Sequence, residues 1–383
     1  MRLKNLRLEN FRNHDNTRLV HADNANVFLG DNGEGKTNIL EAISYLCLSK
    51  SFYAANDRIA AQIGKDYFII EGEFCSDRDV DFFVRVTYNT PNAEKKFLIN
   101  NAEVETLASV VGRFPVVILS PESGATTTGS PADRRKFIDL VISQASRVYL
   151  QTLLEYRKAL KQRNKILLDA KVTRRDCTDI IEPWDKSIID LGTQITLKRQ
   201  GFFQGFIGYV QKAFEEFVGE LEIPGIDYVS SIPLKGNDSA EQVKKEFEKQ
   251  LQVQQAEERR MGMTLVGPHR DEIEFTLNGL ALRKFASQGQ HKTFLVALKA
   301  AEFYYLKEQC NETPLLLLDD VFSELDEYRS QRVLHLVQNV GQTFITSSSE
   351  HMFPAGFEWG GTTKKFSVKQ GTVLHEEASN VLR

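Results

Sequence analysis

The sequence predicts an α/β protein whose head is built from both ends of the chain and interrupted by a mainly helical insertion. Three observations predict it: short apolar runs and strand-like alternation fill residues 1–120, helical periodicity fills 121–261, and strand signals return over 262–383. At 383 residues the chain is too long for one simple domain. Apolar residues make up 42% and charged residues 26%, the balance of a globular protein with a buried core.

Residues 1–8 mix charged and apolar side chains and read as a first strand, not as a secretion signal with its long apolar centre. Residues 26–29 are a short, largely apolar run that stops at Gly30. Residues 68–74 and 81–86 follow, and the run 97–99 meets Asn100-Asn101, a tight hairpin turn. Together these predict an antiparallel meander beside a buried strand at 116–119. The character changes at Ser120-Pro121 and a small-residue loop over 124–131. Beyond it Tyr149, Leu153, Tyr156, Leu160 and Leu167 recur at steps of three and four, apart from a polar gap at Arg163-Asn164. They trace one helix face for packing against neighbouring helices. Residues 225–238 break the helices and hold a short strand. Segments 274–277 and 280–282 flank Asn278-Gly279, a type I′ hairpin signal. A helix over about 290–307 then leads to the apolar run 315–318, and another helix leads to a last strand at 343–346.

Composition narrows the setting. Cys47, Cys75, Cys177 and Cys310 are scattered without a CxxC pair, which argues against a disulfide framework or zinc site and suits a reducing cytoplasm. No run approaches the roughly 18 apolar residues that a membrane span needs, so no membrane role is expected. A net charge of −4 does not advertise nucleic-acid binding; such a surface has to be a local basic patch on an acidic body.

Gly30-Asp31-Asn32-Gly33-Glu34-Gly35-Lys36-Thr37 matches G-x-x-x-x-G-K-[ST]. Phosphate binding needs backbone N–H groups turned inward around an anion, and glycine permits both the dihedrals and the close approach. Lys36 then reaches the β- and γ-phosphates as a point charge, and the Thr37 hydroxyl ligates Mg²⁺. The helix that follows adds its positive N-terminal end. ATP and Mg²⁺ are the implied cofactors. Residues 315–320, Leu-Leu-Leu-Leu-Asp-Asp, have the form of a Walker B strand. Asp319 is placed near the Mg²⁺, and Asp320 faces the γ-phosphate as the group that positions the attacking water.

Ser287-Gln288-Gly289-Gln290, immediately before a helix, resembles the signature of ABC-type ATPases. There Ser287 and the Gly289 N–H contact a γ-phosphate, with Gln290 in the following turn. By itself a Ser-Gln-Gly turn reads better as a helix cap; its position shortly before the Walker B strand favours the signature. Ser323-Glu324-Leu325-Asp326 follows where that family carries its D-loop. The four motifs in family order predict an ABC-type ATPase head, with a P-loop sheet and an antiparallel β subdomain over 1–120 and 262–383. The helical insertion over 121–261 is then lobe II with a short arm. In that family the P-loop and signature meet only across a head-to-tail dimer.

Further stretches resemble one family in particular. Asn10-Phe11-Arg12-Asn13, Ser120-Pro121-Glu122, Arg134-Arg135-Lys136-Phe137-Ile138-Asp139, Gln162-Arg163-Asn164 and Gly267-Pro268-His269-Arg270-Asp271 are similar to stretches of the RecF family, as is the run from Leu317 to Asp326. The resemblance spans the chain and relates it to SMC-type heads. It implies a cytoplasmic protein of recombinational repair, replication restart and the SOS response. It also implies ATP-dependent homodimerisation at gapped or single-strand/double-strand junction DNA, release by slow hydrolysis, and cooperation with RecR and RecO. Arg12 stands where related heads place nucleotide contacts. Asp320 replaces the glutamate of many ABC ATPases, a departure that fits slow turnover. Thr346-Ser347-Ser348 occupies the switch-histidine position, with His351 nearby reading as a surface-loop residue. Glu122 stands in for the Q-loop glutamine.

His269 and Arg270 admit two readings, an interface or nucleotide contact and a structural turn. For DNA, the candidates are Arg134, Arg135, Lys136, Lys158, Lys161, Arg163, Lys165, Arg174 and Arg175, although a solvated helix face carries such charges routinely. Three other readings compete, of which ATP as a structural ligand only is opposed by Asp320, present to serve hydrolysis. A transporter-type ATPase does not ordinarily carry so large a charged helical insertion. A nuclease-linked ATPase needs an acidic metal-binding domain after the D-loop, where residues 327–383 offer only 57 (383 − 326).

Overall fold

The computed structural model describes residues 1–376 apart from 53–55, 219–221, 237, 355, 358, 360 and 361, so Asn237 in the expected break lies outside the described residues. The chain forms two compact units: Met1–Gly124, Lys212–Gly219 and Gln288–Arg383 in the first, Ala125–Gln211 and Glu220–Ser287 in the second. Among the described residues no helix is long and apolar enough to cross a membrane.

The first unit begins with β1 (Arg2–Phe11), β2 (His14–Val20), β3 (Ala25–Leu29), α1 (Lys36–Leu48), β4 (Tyr67–Cys75), β5 (Asp81–Asn89), β6 (Glu94–Ile99), β7 (Ala102–Glu103) and β8 (Val116–Leu119). The second unit carries α2 (Ala125–Thr128), α3 (Pro131–Ala145), α4 (Arg147–Thr173) and most of α5 (Thr178–Val218). It continues with β9 (Pro224–Val229), α6 (Ala240–Met261), β10 (Glu272–Leu277), β11 (Leu280–Ala281) and α7 (Leu282–Phe285). The first unit resumes with α8 (Gln288–Cys310), β12 (Leu315–Asp319), α9 (Glu327–Val340), β13 (Thr343–Ser347), β14 (Thr363–Lys369) and β15 (Thr372–Glu376).

Two six-stranded sheets build the first unit, ordered β2-β1-β4-β5-β6-β7 and β15-β14-β3-β13-β12-β8. The first is the expected antiparallel meander; in β4, Phe68, Ile70 and Phe74 face inward between more exposed neighbours. The second is parallel apart from β15, and every residue of β3, β8, β12 and β13 is buried. That burial explains their unbroken apolar runs, because a parallel sheet is covered on both faces. Helix α1 packs against β4 and β5 of one sheet and β12 and β13 of the other, so its apolar residues encircle it instead of forming one stripe. Register aligns the carboxyl ends of three strands: Ser347 pairs with Leu29, and Thr346 with Asp319. Loops leaving that edge are where open α/β sheets bind ligands.

In the second unit α3, α4, α5 and α6 accompany a three-stranded sheet, β11-β10-β9. Asn278 and Gly279 both have positive φ, 52° and 76°, as the type I′ turn requires. Strand β11 is shorter than expected because Leu282 opens α7. The apolar stripe on α4 is not interrupted at Arg163: that side chain is itself buried, its guanidinium occupying a core position between acidic partners.

The boundary expected at 262 is corrected to Gln288, and the first break moves from 120 to Gly124. The reason is Asp271, fully buried, whose carboxylate accepts from Arg199 Nη1 at 3.1 Å, from the Ser231 N–H at 2.9 Å and from the Tyr228 hydroxyl. With β10 paired to β9 along six positions, residues 262–287 are tied to the helical unit.

Candidate functional site

Strand β3 delivers Gly30 at the sheet edge, and the loop turns into α1 through Gly33 (φ 86°) and Gly35 (φ 110°). A side chain at 35 would meet more than backbone strain: its Cβ would lie 2.5 Å from Asn13 Oδ1. Lys36 is buried, and its ammonium donates to the carbonyls of Gly30 at 2.7 Å and Asp31 at 2.9 Å, which holds it across the mouth of the loop.

One residue after Lys36, the Thr37 hydroxyl donates to Asp319 Oδ1 at 2.8 Å, joining the start of α1 to the end of β12. Thr346, on the neighbouring strand, donates to the same oxygen at 2.7 Å and accepts from the Asp320 N–H at 2.9 Å. Burial pushes the Asp319 carboxyl above the usual range, the two hydroxyls pull it back, and the negative charges of Asp320 and Glu122 push it up again, with a net upward shift. Asp320 adopts a left-handed backbone (φ 49°), uncommon for a non-glycine residue, and its buried Oδ1 has no hydrogen-bond partner among the described residues.

This set fits Mg²⁺. It offers a hydroxyl, a carboxylate and an orphaned carboxylate oxygen, all hard oxygen donors, with a third carboxylate, Glu122, close enough to be felt. Among the described residues no group of three or more His, Cys, Asp or Glu could hold a metal by itself.

The remaining motif residues fall as follows. Ser287 is exposed immediately ahead of α8, whose first turn holds Gln288, Gly289 and Gln290; the helix starts two residues earlier than expected. Gly289 lies against Arg329: a Cβ there would sit 2.9 Å from the guanidinium. Arg329 also donates through Nε to Thr293 Oγ1 at 2.6 Å and pairs with Asp326, the residue that caps α9. The D-loop and the first turn of α8 are thus pinned together. Ser323 donates to the Asp320 carbonyl at 2.6 Å. Arg12 is held by Glu41 of α1 in a two-point pair, Nε at 2.8 Å and Nη2 at 2.7 Å.

The family description "RecF/RecN/SMC N terminal domain" matches residues 2–370. A DNA replication and repair protein RecF of Salinibacter ruber is 40% identical over 92% of this chain and 86% of its own length. One of the same name from Chloroherpeton thalassium is 40% identical over 92% of this chain and 96% of its own. The chain belongs to the RecF family. A solved structure described as the recombination mediator protein RecF with ATP, in the RecFOR pathway, superposes with a TM-score of 0.87 at 29% identity, covering 98% of this chain and 97% of that one. An SMC head bound to the C-terminal winged-helix domain of ScpA superposes at 0.53 with 14% identity and shares the fold. The ABC-type head expected from the motif order is therefore the fold of this RecF-family chain.

Two of the DNA candidates are corrected by their surroundings. Arg163 is buried, donating to Asp185 at 2.6 Å, Glu258 at 2.7 Å and Thr264 at 2.8 Å. Arg134 is buried against Glu272, with Nε at 2.9 Å and Nη2 at 2.8 Å. A buried, paired guanidinium does not present itself to a phosphate. Arg135 is half-buried and donates to the Asp271 carbonyl, whereas Lys136, Lys158, Lys161, Lys165, Arg174 and Arg175 are exposed. Of the two readings of His269, its contacts support the structural turn: Nδ1 lies 2.7 Å from the Tyr156 hydroxyl and Nε2 lies 3.1 Å from the Thr264 carbonyl.

Sequence reasoning missed the residues outside the P-loop that touch it, Asn13, His14, Gln370 and Gly371, and it missed Arg329. Asn13 carried a signal only through the Asn10–Asn13 stretch; His14 and the β14–β15 turn carried none, because their role arises from long-range pairing.

Proposed function

We propose that this RecF-family chain is an ATP-gated DNA-binding protein of recombinational repair and replication restart. It binds ATP with Mg²⁺ at the P-loop, dimerises on gapped or single-strand/double-strand junction DNA, and is released by slow hydrolysis. The observation that carries the reading is the Thr37–Asp319 hydrogen bond beside the partnerless Oδ1 of Asp320. It supports reading Thr37 and Asp319 as a cation-binding pair and Asp320 as a water-positioning carboxylate.

Each residue then has a task. The loop N–H groups and Lys36 bind the phosphates; Thr37 and Asp319 would hold Mg²⁺, which would supply charge neutralisation to the phosphates. Thr346 orients Asp319 and, through the Asp320 N–H, fixes the backbone of the residue that positions water. Ser287 and Gly289 complete the γ-phosphate contacts of a second copy. The exposed Lys136, Lys158, Lys161, Lys165, Arg174 and Arg175 are the DNA-facing members left in the candidate set, and Arg12 is the nucleotide contact of the first hairpin. The similarity to a RecF of the RecFOR pathway supports RecR as the partner, with RecO acting alongside, and the reading places the protein in the cytoplasm.

Light-scattering mass of the Asp320→Asn protein, with and without ATP–Mg²⁺ and gapped duplex, tests this. A monomer that becomes a dimer only with ATP, and more readily on DNA, supports the reading; a mass indifferent to ATP overturns it. Lys36→Ala should remove both nucleotide binding and the mass change.

A further inference from the structure

The peptide groups that line the P-loop are held from outside by a second layer of side chains. In a trans peptide the carbonyl and the following N–H point in opposite directions. Whatever grips the Glu34 carbonyl therefore aims the Gly35 N–H, and whatever grips the Gly35 carbonyl aims the Lys36 N–H. Both carbonyls are gripped. The Glu34 carbonyl accepts from Asn13 Nδ2 at 2.9 Å and from the Gly371 N–H at 2.9 Å. The Gly35 carbonyl accepts from the Asn38 N–H at 3.1 Å and lies 3.1 Å from His14 Nε2. A carbonyl only accepts, so Nε2 carries a proton and donates.

The layer is itself fixed. The Asn38 side-chain amide donates to Asn13 Oδ1 at 2.8 Å, orienting the Asn13 amide. Thr17 Oγ1 stands 3.0 Å from His14 Nδ1 and 3.2 Å from the Gly371 carbonyl, and the Gln370 N–H donates to the Glu34 carboxylate. His14 is fully buried, and that burial holds its ring below the ordinary histidine range, in the neutral form. A buried neutral imidazole whose Nε2 proton is committed to the Gly35 carbonyl has its ring orientation fixed.

We propose that His14 and Asn13 are positioning residues for nucleotide binding: by holding the Gly35 and Glu34 carbonyls outward they point the Lys36 and Gly35 N–H groups at the phosphates. This rests on the P-loop binding nucleotide. The gain is pre-organisation, since N–H groups already aimed do not have to be ordered when the anion arrives, and hydrogen bonds in a chain polarise one another. Because the loop amides serve the phosphates nearest the sugar, the contribution is the same for ATP and ADP. A contact made only to a γ-phosphate would favour ATP.

The test measures ATP–Mg²⁺ and ADP–Mg²⁺ affinity by calorimetry, with the thermal midpoint, for the full-length wild type, His14→Leu, His14→Asn, His14→Gln and Asn13→Asp. Glutamine places its amide nitrogen near the position of Nε2, and asparagine near Nδ1. Losing a charge-supporting donor costs affinity by about tenfold. His14→Leu, His14→Asn and Asn13→Asp should each weaken ATP and ADP alike by about that factor, and His14→Gln should restore affinity to within about twofold. The proposal is overturned if His14→Leu binds like the wild type, if His14→Gln is as weak as His14→Leu, or if only ATP is affected. Should the leucine protein not fold, Asn13→Asp, at a partly exposed position, decides alone. Wild-type protein that bound neither nucleotide would instead remove the nucleotide reading itself.

Discussion

Replacing Arg163 with methionine separates a structural ion pair from a phosphate contact. The guanidinium is 2% exposed and uses all three nitrogens, on Asp185, Thr264 and Glu258. Methionine fills similar length without charge. Asp185, 29% exposed, can turn to water, but Glu258 is 1% exposed and keeps only the Leu265 N–H, at 2.8 Å, for its other oxygen. The cost is therefore that of one buried carboxylate left uncompensated, about 3–5 kcal/mol for breaking a buried pair. The relief available to Asp185 places it toward the lower end. Urea unfolding followed by the fluorescence of Trp184, the neighbour of Asp185 on α5, in a Trp359→Phe background reads the helical unit. Adding Glu258→Leu should recover most of the loss, because an apolar replacement of a whole buried pair is often neutral. DNA affinity against salt supplies the contrast: Arg163→Met should leave the slope unchanged, and Lys161→Met should lower it by about 0.7–0.9 without affecting stability. An Arg163→Met protein that unfolds at the wild-type urea concentration and loses salt slope would refute the buried-pair account.

His269 gives a pH dependence. Burial pushes its pKa down to about 4, so between pH 6.5 and 4 the unfolded chain binds a proton that the folded chain refuses. Stability falls as pH drops through that window, by a total on the order of 3 kcal/mol. His269→Gln, which keeps a donor toward the Thr264 carbonyl, should flatten the curve in calorimetric scans. The Asp319 pKa is shifted the other way: folding favours its protonated form, so its ionisation weakens the folded state as pH rises past the ordinary carboxylate range. Asp319→Asn should raise the thermal midpoint of the nucleotide-free protein while removing the Mg²⁺ dependence of ATP binding, a pairing that an inert surface carboxylate would not produce. Ser287→Arg should leave monomer ATP affinity within about twofold and lower dimer formation by more than about tenfold, as expected when a long side chain replaces the serine hydroxyl in a close contact to a shared γ-phosphate. Sedimentation with ATP would detect a normal dimer and so exclude the shared site.

Most of the nucleotide cluster was legible in the sequence because its chemistry is local. Gly30 to Thr37 are contiguous, and a buried strand ending in Asp319-Asp320 announces both its burial and its carboxylates. What joins them was not legible, since Thr37 and Asp319 meet only through sheet register. The α4 stripe shows the limit of periodicity. Arg163 falls in step with Tyr156 and Leu167, yet its charge made it look like a gap and then like a phosphate contact. No single-helix pattern carries Asp185 and Glu258, which come from α5 and α6. The domain boundary failed for a similar reason. Strand-like text after 262 was assigned to the nearest sheet in sequence type, whereas β10 pairs with β9 and Asp271 is locked to Arg199.

The slow turnover we propose would have a geometric cause that one substitution can probe. The Asp320 backbone is fixed on both sides, its N–H by Thr346 at 2.9 Å and its carbonyl by Ser323 at 2.6 Å, and its φ of 49° leaves no easy direction for adjustment. On the proposed reading these anchors resist moving the chain, so side-chain length sets how far the carboxylate reaches toward the γ-phosphate. Asp320→Glu adds one carbon–carbon bond, about 1.5 Å, while keeping charge and both backbone anchors. A well-placed base contributes roughly 10²–10⁴-fold to proton transfer, so recovering part of that should raise kcat by about tenfold. ATP affinity should change little, because Lys36, Thr37 and Asp319 are untouched. Single-turnover hydrolysis of Asp320→Glu beside Asp320→Asn separates the cases: a glutamate protein no faster than the asparagine one would mean that reach is not what limits the reaction, and that the partnerless Oδ1 of Asp320 serves the cation instead of the water.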